Sequence, residues 1–214
     1  MDLLTDFLLD PRAIETKSME IIEGFLGESS WREPEKRVVK RVIHTTGDPE
    51  FAKIIAIHPN AVEAGINAIR GGANVITDVE MVRSGVSKKN LAKAGGAASC
   101  FLNEPQVAAK AREWGTTRTM AALRLHKEDI CGSIIAIGNA PTALMETIRL
   151  VQEEGKRPAL IVGCPVGFVG AAESKEVLAQ QQIPFITVKG NKGGSTIAAA
   201  IVNALIYLSV QRDF

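Results

Sequence analysis

The sequence predicts an α/β fold: a doubly wound, mainly parallel five-stranded sheet with helices on both faces, preceded by an N-terminal helical segment. Three observations carry this. From Asn74 onward, short β-rich runs alternate with helical ones, the order that builds a parallel sheet through crossover helices. The runs Ile134-Ile135-Ala136-Ile137-Gly138 and Ala159-Leu160-Ile161-Val162-Gly163 are short, continuous and apolar, as strands buried on both faces are. Apolar residues make up 46% of the 214 and aromatics only 5%, so the core is built from small and branched aliphatic side chains.

Residues 13–26 place Ile14, Ile21, Ile22, Phe25 and Leu26 on one helical face. Ser30-Trp31-Arg32-Glu33 has the spacing of a capping box and opens a second helix with the stripe Val38, Val39, Val42 and Ile43. Gly47 is a natural left-handed cap for it. Residues 60–70 form a third helix, closed by Gly71-Gly72, so the first sixty residues read as helical. Strands are expected at 75–79, 98–102, 133–138, 159–164 and 184–189. Helices are expected at 88–94, 106–114, 119–127, 141–154, 174–182 and 195–208. Residues 193–211 carry no charged side chain; the length permits a membrane span, but the internal Gly, Ser, Thr and Asn favour a core helix. No long linker or repeat divides the chain, so residues 1–214 read as one domain.

Several functions are disfavoured at once. The formal net charge is +1, and cutting the chain after residue 107 leaves neither half with the excess of cations that a nucleic-acid partner requires. Cys100, Cys131 and Cys164 are widely spaced and odd in number, which reads as buried free thiols in a reducing cytoplasm. The acidic start, MDLLTDFLLD, is not a signal peptide. Gly190-Asn191-Lys192-Gly193-Gly194-Ser195 lacks the order of a phosphate loop, and Gly163, Gly167 and Gly170 lack that of a dinucleotide fingerprint. Carboxylates are too scattered for a metal site.

In an open parallel sheet, ligands sit beyond the carboxyl ends of the strands. There the sequence places residues 78–86, Asn103-Glu104, 138–142, 163–170 and 190–195, mostly glycine-containing and able to approach a ligand closely. His44 falls in the last turn of the second helix, with Lys40 and Arg41 on its face. An anion between them would favour the imidazolium, a suitable general acid, yet a histidine at a helix end is common and its position alone assigns no role. His58 and His126 show no partner and read as structural, His126 as solvated. Ser18 lies among apolar neighbours; Thr116 or Thr117 could cap the next helix; Arg118, in its first turn, opposes the helix dipole and could hold an anion.

Taken in order, several segments resemble the precorrin-8X methylmutase family of corrin biosynthesis, including its cobalt-precorrin-8 counterparts. They are Ala13-Ile14 with Ser18, Arg41-Val42-Ile43-His44, Thr77-Asp78-Val79-Glu80-Met81-Val82, Thr117-Arg118, the run IGNAPTAL from Ile137, the run PVGFVGAAESK from Pro165, and Gly193-Gly194-Ser195. They span nearly the whole chain, and the two long runs are specific.

The resemblance implies an isomerase that moves the C11 methyl group of a ring-contracted tetrapyrrole to C12 by a formal [1,5]-sigmatropic shift. The product is hydrogenobyrinate, or cobyrinate when cobalt is already inserted. It implies His44 as the acid that protonates the macrocycle near ring C. Ser18 and Arg41 match substrate-contacting positions, and Arg118, Asn139 and Thr142 are further candidates for binding. It implies a homodimer working without cofactor on a tetrapyrrole polycarboxylate, in the cytoplasm, with no membrane, nucleic-acid or metal site. Such a rearrangement needs a placed proton and a rigid cradle rather than a nucleophile. Arginine forks suit the carboxylate fringe. The expected meeting place of imidazole and macrocycle is the carboxyl edge of the sheet. Two rival readings are a non-catalytic carrier of the same pigment and an enzyme acting on a phosphorylated small molecule.

Overall fold

A computed structural model describes residues 8–27 and 30–210. Most of the N-terminal stretch read above as no leader, and Gln211, lie outside the described residues. The helices are α1 (Pro11–Leu26), α2 (Glu33–Thr46), α3 (Phe51–Ile54), α4 (Ala61–Arg70), α5 (Glu80–Gly85), α6 (Lys88–Lys93), α7 (Pro105–Glu113), α8 (Arg118–Leu125), α9 (Pro141–Glu154), α10 (Ala171–Ala179) and α11 (Ser195–Ser209). The strands are β1 (Ile55–Ile57), β2 (Val75–Thr77), β3 (Ala98–Ser99), β4 (Ile134–Ile137), β5 (Leu160–Gly163) and β6 (Phe185–Val188).

The sheet runs in the order β1-β6-β5-β4-β2-β3, parallel except for β1, which pairs antiparallel with β6. The five expected strands are present, with β3 trimmed to two residues. The sixth, β1, corrects the helical reading of the first sixty residues. Ile54-Ile55-Ala56-Ile57 is a short apolar run, which periodicity alone cannot divide between helix and strand.

Period-two alternation sorts the strand residues onto two faces. Ile134, Ala136, Leu160 and Val162 enter one core with α2, α4 and α11; Ile135, Ile137 and Ile161 enter the other with α9 and α10. The α11 helix lies between the sheet and α2, and Ile197, Ile201, Val202 and Leu205 are buried there. Burial on both sides explains its uncharged sequence. Among the described residues no helix is long and apolar enough to cross a membrane.

The α1–α2 hairpin forms an outer layer. Met19 and Ile22 of α1 are buried, while Glu23 pairs with Lys36 and Lys40 of α2. Ile14, Ile21 and Phe25 remain exposed, so much of the stripe read from α1 faces away from the core. The α2 cap is also shifted. Pro34 sits in the first turn, where proline is favoured, and the Glu35 carboxylate accepts from the Arg32 backbone N–H at 3.0 Å. Gly47 closes α2 in the left-handed region at φ 65°, as expected. Cys164 is buried, but Cys100 is half-buried and Cys131, in the turn before β4, is exposed, which corrects the uniform buried reading.

The carboxyl end of β4 is packed without spare room. A Cβ on Gly138 would stand 2.6 Å from Ser195 Cα and 2.8 Å from a Val82 methyl group. Gly138→Ala is therefore expected to destabilise the fold by about 1–3 kcal/mol, read as a fall in Tm of roughly 2–4 °C per kcal/mol.

Candidate functional site

The chain passes from β2 outward to β3, then returns to place β4 on the other side of β2, so the winding reverses between β2 and β4. Crevices at such reversals are where open α/β sheets bind ligands. Asp78 follows β2 and is 3% exposed. Its Oδ1 accepts from Gly138 N at 3.0 Å, and its Oδ2 accepts from Asn139 N and Ala140 N at 2.8 Å each. Burial pushes the carboxyl above the usual carboxylate range, with the three N–H groups opposing that shift. The charge stands at the start of α9, where the helix dipole favours it. These donors are the ones a phosphate would use at that helix, and Asp78 has already taken them. That one helix start is therefore closed to a phosphate.

The loop that Asp78 ties down presents Asn139, which is exposed, and leads to Thr142. Thr142 Oγ1 lies 3.0 Å from Thr117 Oγ1, and Thr117 caps α8 by accepting from Met120 N at 3.3 Å. Arg118 is exposed, and its Nη2 donates to Leu102 O and Asn103 Oδ1, both at 3.0 Å. The α8 helix is held to α9 by Glu146, whose buried carboxylate receives Arg124 at 2.9 and 3.0 Å and also Arg149. Arg118, Asn139 and Thr142 thus share one rigid corner.

Ser18, Arg41 and His44 lie on the α1–α2 hairpin, where Arg41 and His44 meet. Arg41 Nη1 lies 3.4 Å from His44 Nδ1, its Nη2 lies 3.4 Å from Glu15 Oε1, and its guanidinium sits 5.4 Å from the Tyr207 ring centroid. A guanidinium can only donate, so the contact is a hydrogen bond in the tautomer that carries its proton on Nε2. Ser18 Oγ donates to Ile14 O at 2.8 Å. The imidazole is exposed rather than sealed in packing.

Arg41 reaches far along α11. Ser195 begins α11 at the carboxyl edge, so Tyr207 lies about 18 Å further along that helix at 1.5 Å per residue. Near that far end, Arg70 Nε donates to Ser209 O at 3.1 Å. Arg41 therefore lies against the flank of α11, with His44 one turn further along α2. Just after α2 the chain is at the edge: Lys192, in the loop before α11, pairs with Asp48 at 2.7 Å and Glu50 at 3.0 Å. A cavity of about 780 Å³, lined by Phe25, Trp31, Pro49 and Lys53 among others, holds none of the six candidates.

A family model described as CbiC, precorrin-8X methylmutase, matches residues 13–208. The chain belongs to the precorrin-8X methylmutase family. It is 43% identical over 212 residues to a cobalt-precorrin-8 methylmutase of Priestia megaterium, covering 98% of this chain and 94% of that protein. It is 40% identical over 202 residues to a precorrin-8X methylmutase of Sinorhizobium sp, covering 94% of this chain and 96% of that protein. The solved precorrin-8X methylmutase of Thermus thermophilus superposes with a TM-score of 0.86 at 36% identity, covering 94% of this chain and 98% of that one. Membership makes the chain a methylmutase of cobalamin biosynthesis, an intramolecular isomerase.

Within this methylmutase fold, the sequence reading of Thr117 as a helix cap holds, but Asp78 and Asn103 were not singled out as site-builders. Asp78 and Asn103 fell in strand-end segments, and the signal that could have raised Asp78 was its place directly after β2 beside the reversal. His126, read as structural but without a partner, has three: Glu104 and Asp129 bond its ring and Phe101 stacks on it. Asp78→Asn keeps the shape but turns an amide NH₂ toward one of the three donors. Melting curves are expected to show a loss of about 1–3 kcal/mol.

Proposed function

We propose that residues 1–214 act as one catalytic domain that moves the C11 methyl group of precorrin-8X or cobalt-precorrin-8 to C12, with His44 as general acid. The observation that carries the acid role is the exposed His44–Arg41 pair, because that contact is a hydrogen bond in the tautomer protonated on Nε2. With Nδ1 accepting from Arg41, the proton on Nε2 is available to the ligand. A substrate carboxylate that binds Arg41 sits beside the imidazole and offsets the charge of the neighbouring guanidinium. Nε2 then delivers its proton to the macrocycle near ring C. The C11–methyl bond breaks as the C12–methyl bond forms, and the proton returns to His44, so atoms and electrons balance without an added reagent.

Ser18 and Arg41 supply donors beside the acid. Arg118, Asn139 and Thr142 offer a second set of donors for the carboxylate fringe. The working unit is a homodimer: Ile14, Ile21 and Phe25 leave an apolar stripe on α1, in the same hairpin as His44. The reaction takes place in the cytoplasm, and no metal, redox or nucleotide cofactor is assigned to it; cobalt, where present, belongs to the substrate.

The direct test is incubation of the protein with metal-free and with cobalt-loaded substrate, followed by absorbance. Conversion of either supports the isomerase, whereas binding without spectral change favours a carrier. His44→Ala is expected to bind the macrocycle and lose about 10²–10⁴-fold in turnover, and normal turnover would remove the acid role. Arg41→Ala is expected to weaken product binding by about 1.5–3 kcal/mol in an absorbance titration, and unchanged affinity would exclude it as a carboxylate contact.

A further inference from the structure

The loop joining β3 to α7 carries Leu102 O and Asn103 Oδ1, the two acceptors that hold Arg118. Its two neighbours in the chain are held by one side chain. The His126 ring stacks on Phe101 at 3.6 Å between centroids and 6° between planes. His126 Nε2 lies 2.8 Å from Glu104 Oε2 and Nδ1 lies 3.0 Å from Asp129 Oδ2. The Phe101–Glu104 segment is thus gripped at both ends by His126 and touched in the middle by Arg118. We infer that His126 is a positioning residue for substrate binding, holding the Phe101–Glu104 loop in the shape that presents Arg118. This rests on the proposal above that Arg118 takes a substrate carboxylate.

The grip depends on the charge of the ring. Imidazolium has two N–H donors and serves Glu104 and Asp129 together; neutral imidazole has one and must leave a carboxylate facing a lone pair. The other polar groups nearby are accounted for. Gln106 Nε2 donates to the same Glu104 oxygen at 2.6 Å, Lys127 pairs with Glu154 at 2.7 Å, and Glu128 pairs with Lys156 at 2.6 Å. Burial opposes protonation of His126, but Glu104 and Asp129 outweigh it and raise its pKa above the ordinary histidine value. With the folded pKa raised, the grip is complete below the ordinary histidine range and is lost as pH rises through the raised value.

The experiment is an absorbance titration of the full-length protein with cobyrinate across pH, for wild type, His126→Gln, Arg118→Ala and the double variant. Wild-type Kd is expected to rise about 3- to 10-fold as the pH passes through the histidine transition. His126→Gln is expected to show the weakened Kd at every pH, without that step. On the Arg118→Ala background, His126→Gln is expected to add nothing, because the effect runs through Arg118. Glu104→Gln cuts the same link from the other side and is expected to reproduce His126→Gln should the latter fold poorly. Wild-type affinity with the step retained in His126→Gln and Glu104→Gln would overturn the inference. An equal loss with or without Arg118 would do the same, as it marks a purely structural role. If Arg118→Ala alone binds as wild type, the carboxylate reading of Arg118 falls and this inference falls with it.

Discussion

A single buried carboxylate organises the carboxyl edge of the sheet. Asp78 spans the gap between β2 and β4, where the winding reverses, and gathers three consecutive N–H groups of the loop before α9. A loop at that point has few other ways to satisfy its donors, since Gly138 and Ala140 are buried. With the loop fixed, Thr142 meets Thr117, α8 is capped, and Arg118 is set over Leu102 and Asn103. A side chain with a different shape or charge at position 78 would loosen all of these together.

The second constraint is the placement of α11 between two layers. Because α2 packs on it, the helix presents apolar residues to the sheet and to the hairpin at once. This sets Arg41 against Tyr207, far along α11 from the carboxyl edge. The donors implied for a polycarboxylate are thereby spread over two regions of the surface. Such a spread suits a broad ligand with charges around its rim better than a compact phosphate ester.

Much of this architecture was legible in the chain. The runs around Ile134–Ile137 and Leu160–Gly163 are apolar without alternation, which only two-sided burial explains, and Gly47 marked the end of α2. The strand β1 was not legible, because three residues at a sheet edge carry too short a pattern to separate from the helix before them. At the site, His44 and Arg41 could be paired from helical spacing alone. The role of Asp78 could not, since its partners lie sixty residues away and are backbone groups without any side-chain signature. The partners of His126 were missed for a related reason: Glu104 is brought to it by the packing of α7 against α8, which no local pattern reports.

The sheet is bounded by two brief strands, β3 with two residues and β1 with three, the latter running against its neighbour. Stubs of that length offer an incoming chain almost no ladder to extend. Self-association by strand addition is closed off at both borders, leaving helical surfaces as the route by which copies can meet. The same brevity should guard the folding chain against fibrillar growth while its long apolar α11 is still seeking cover.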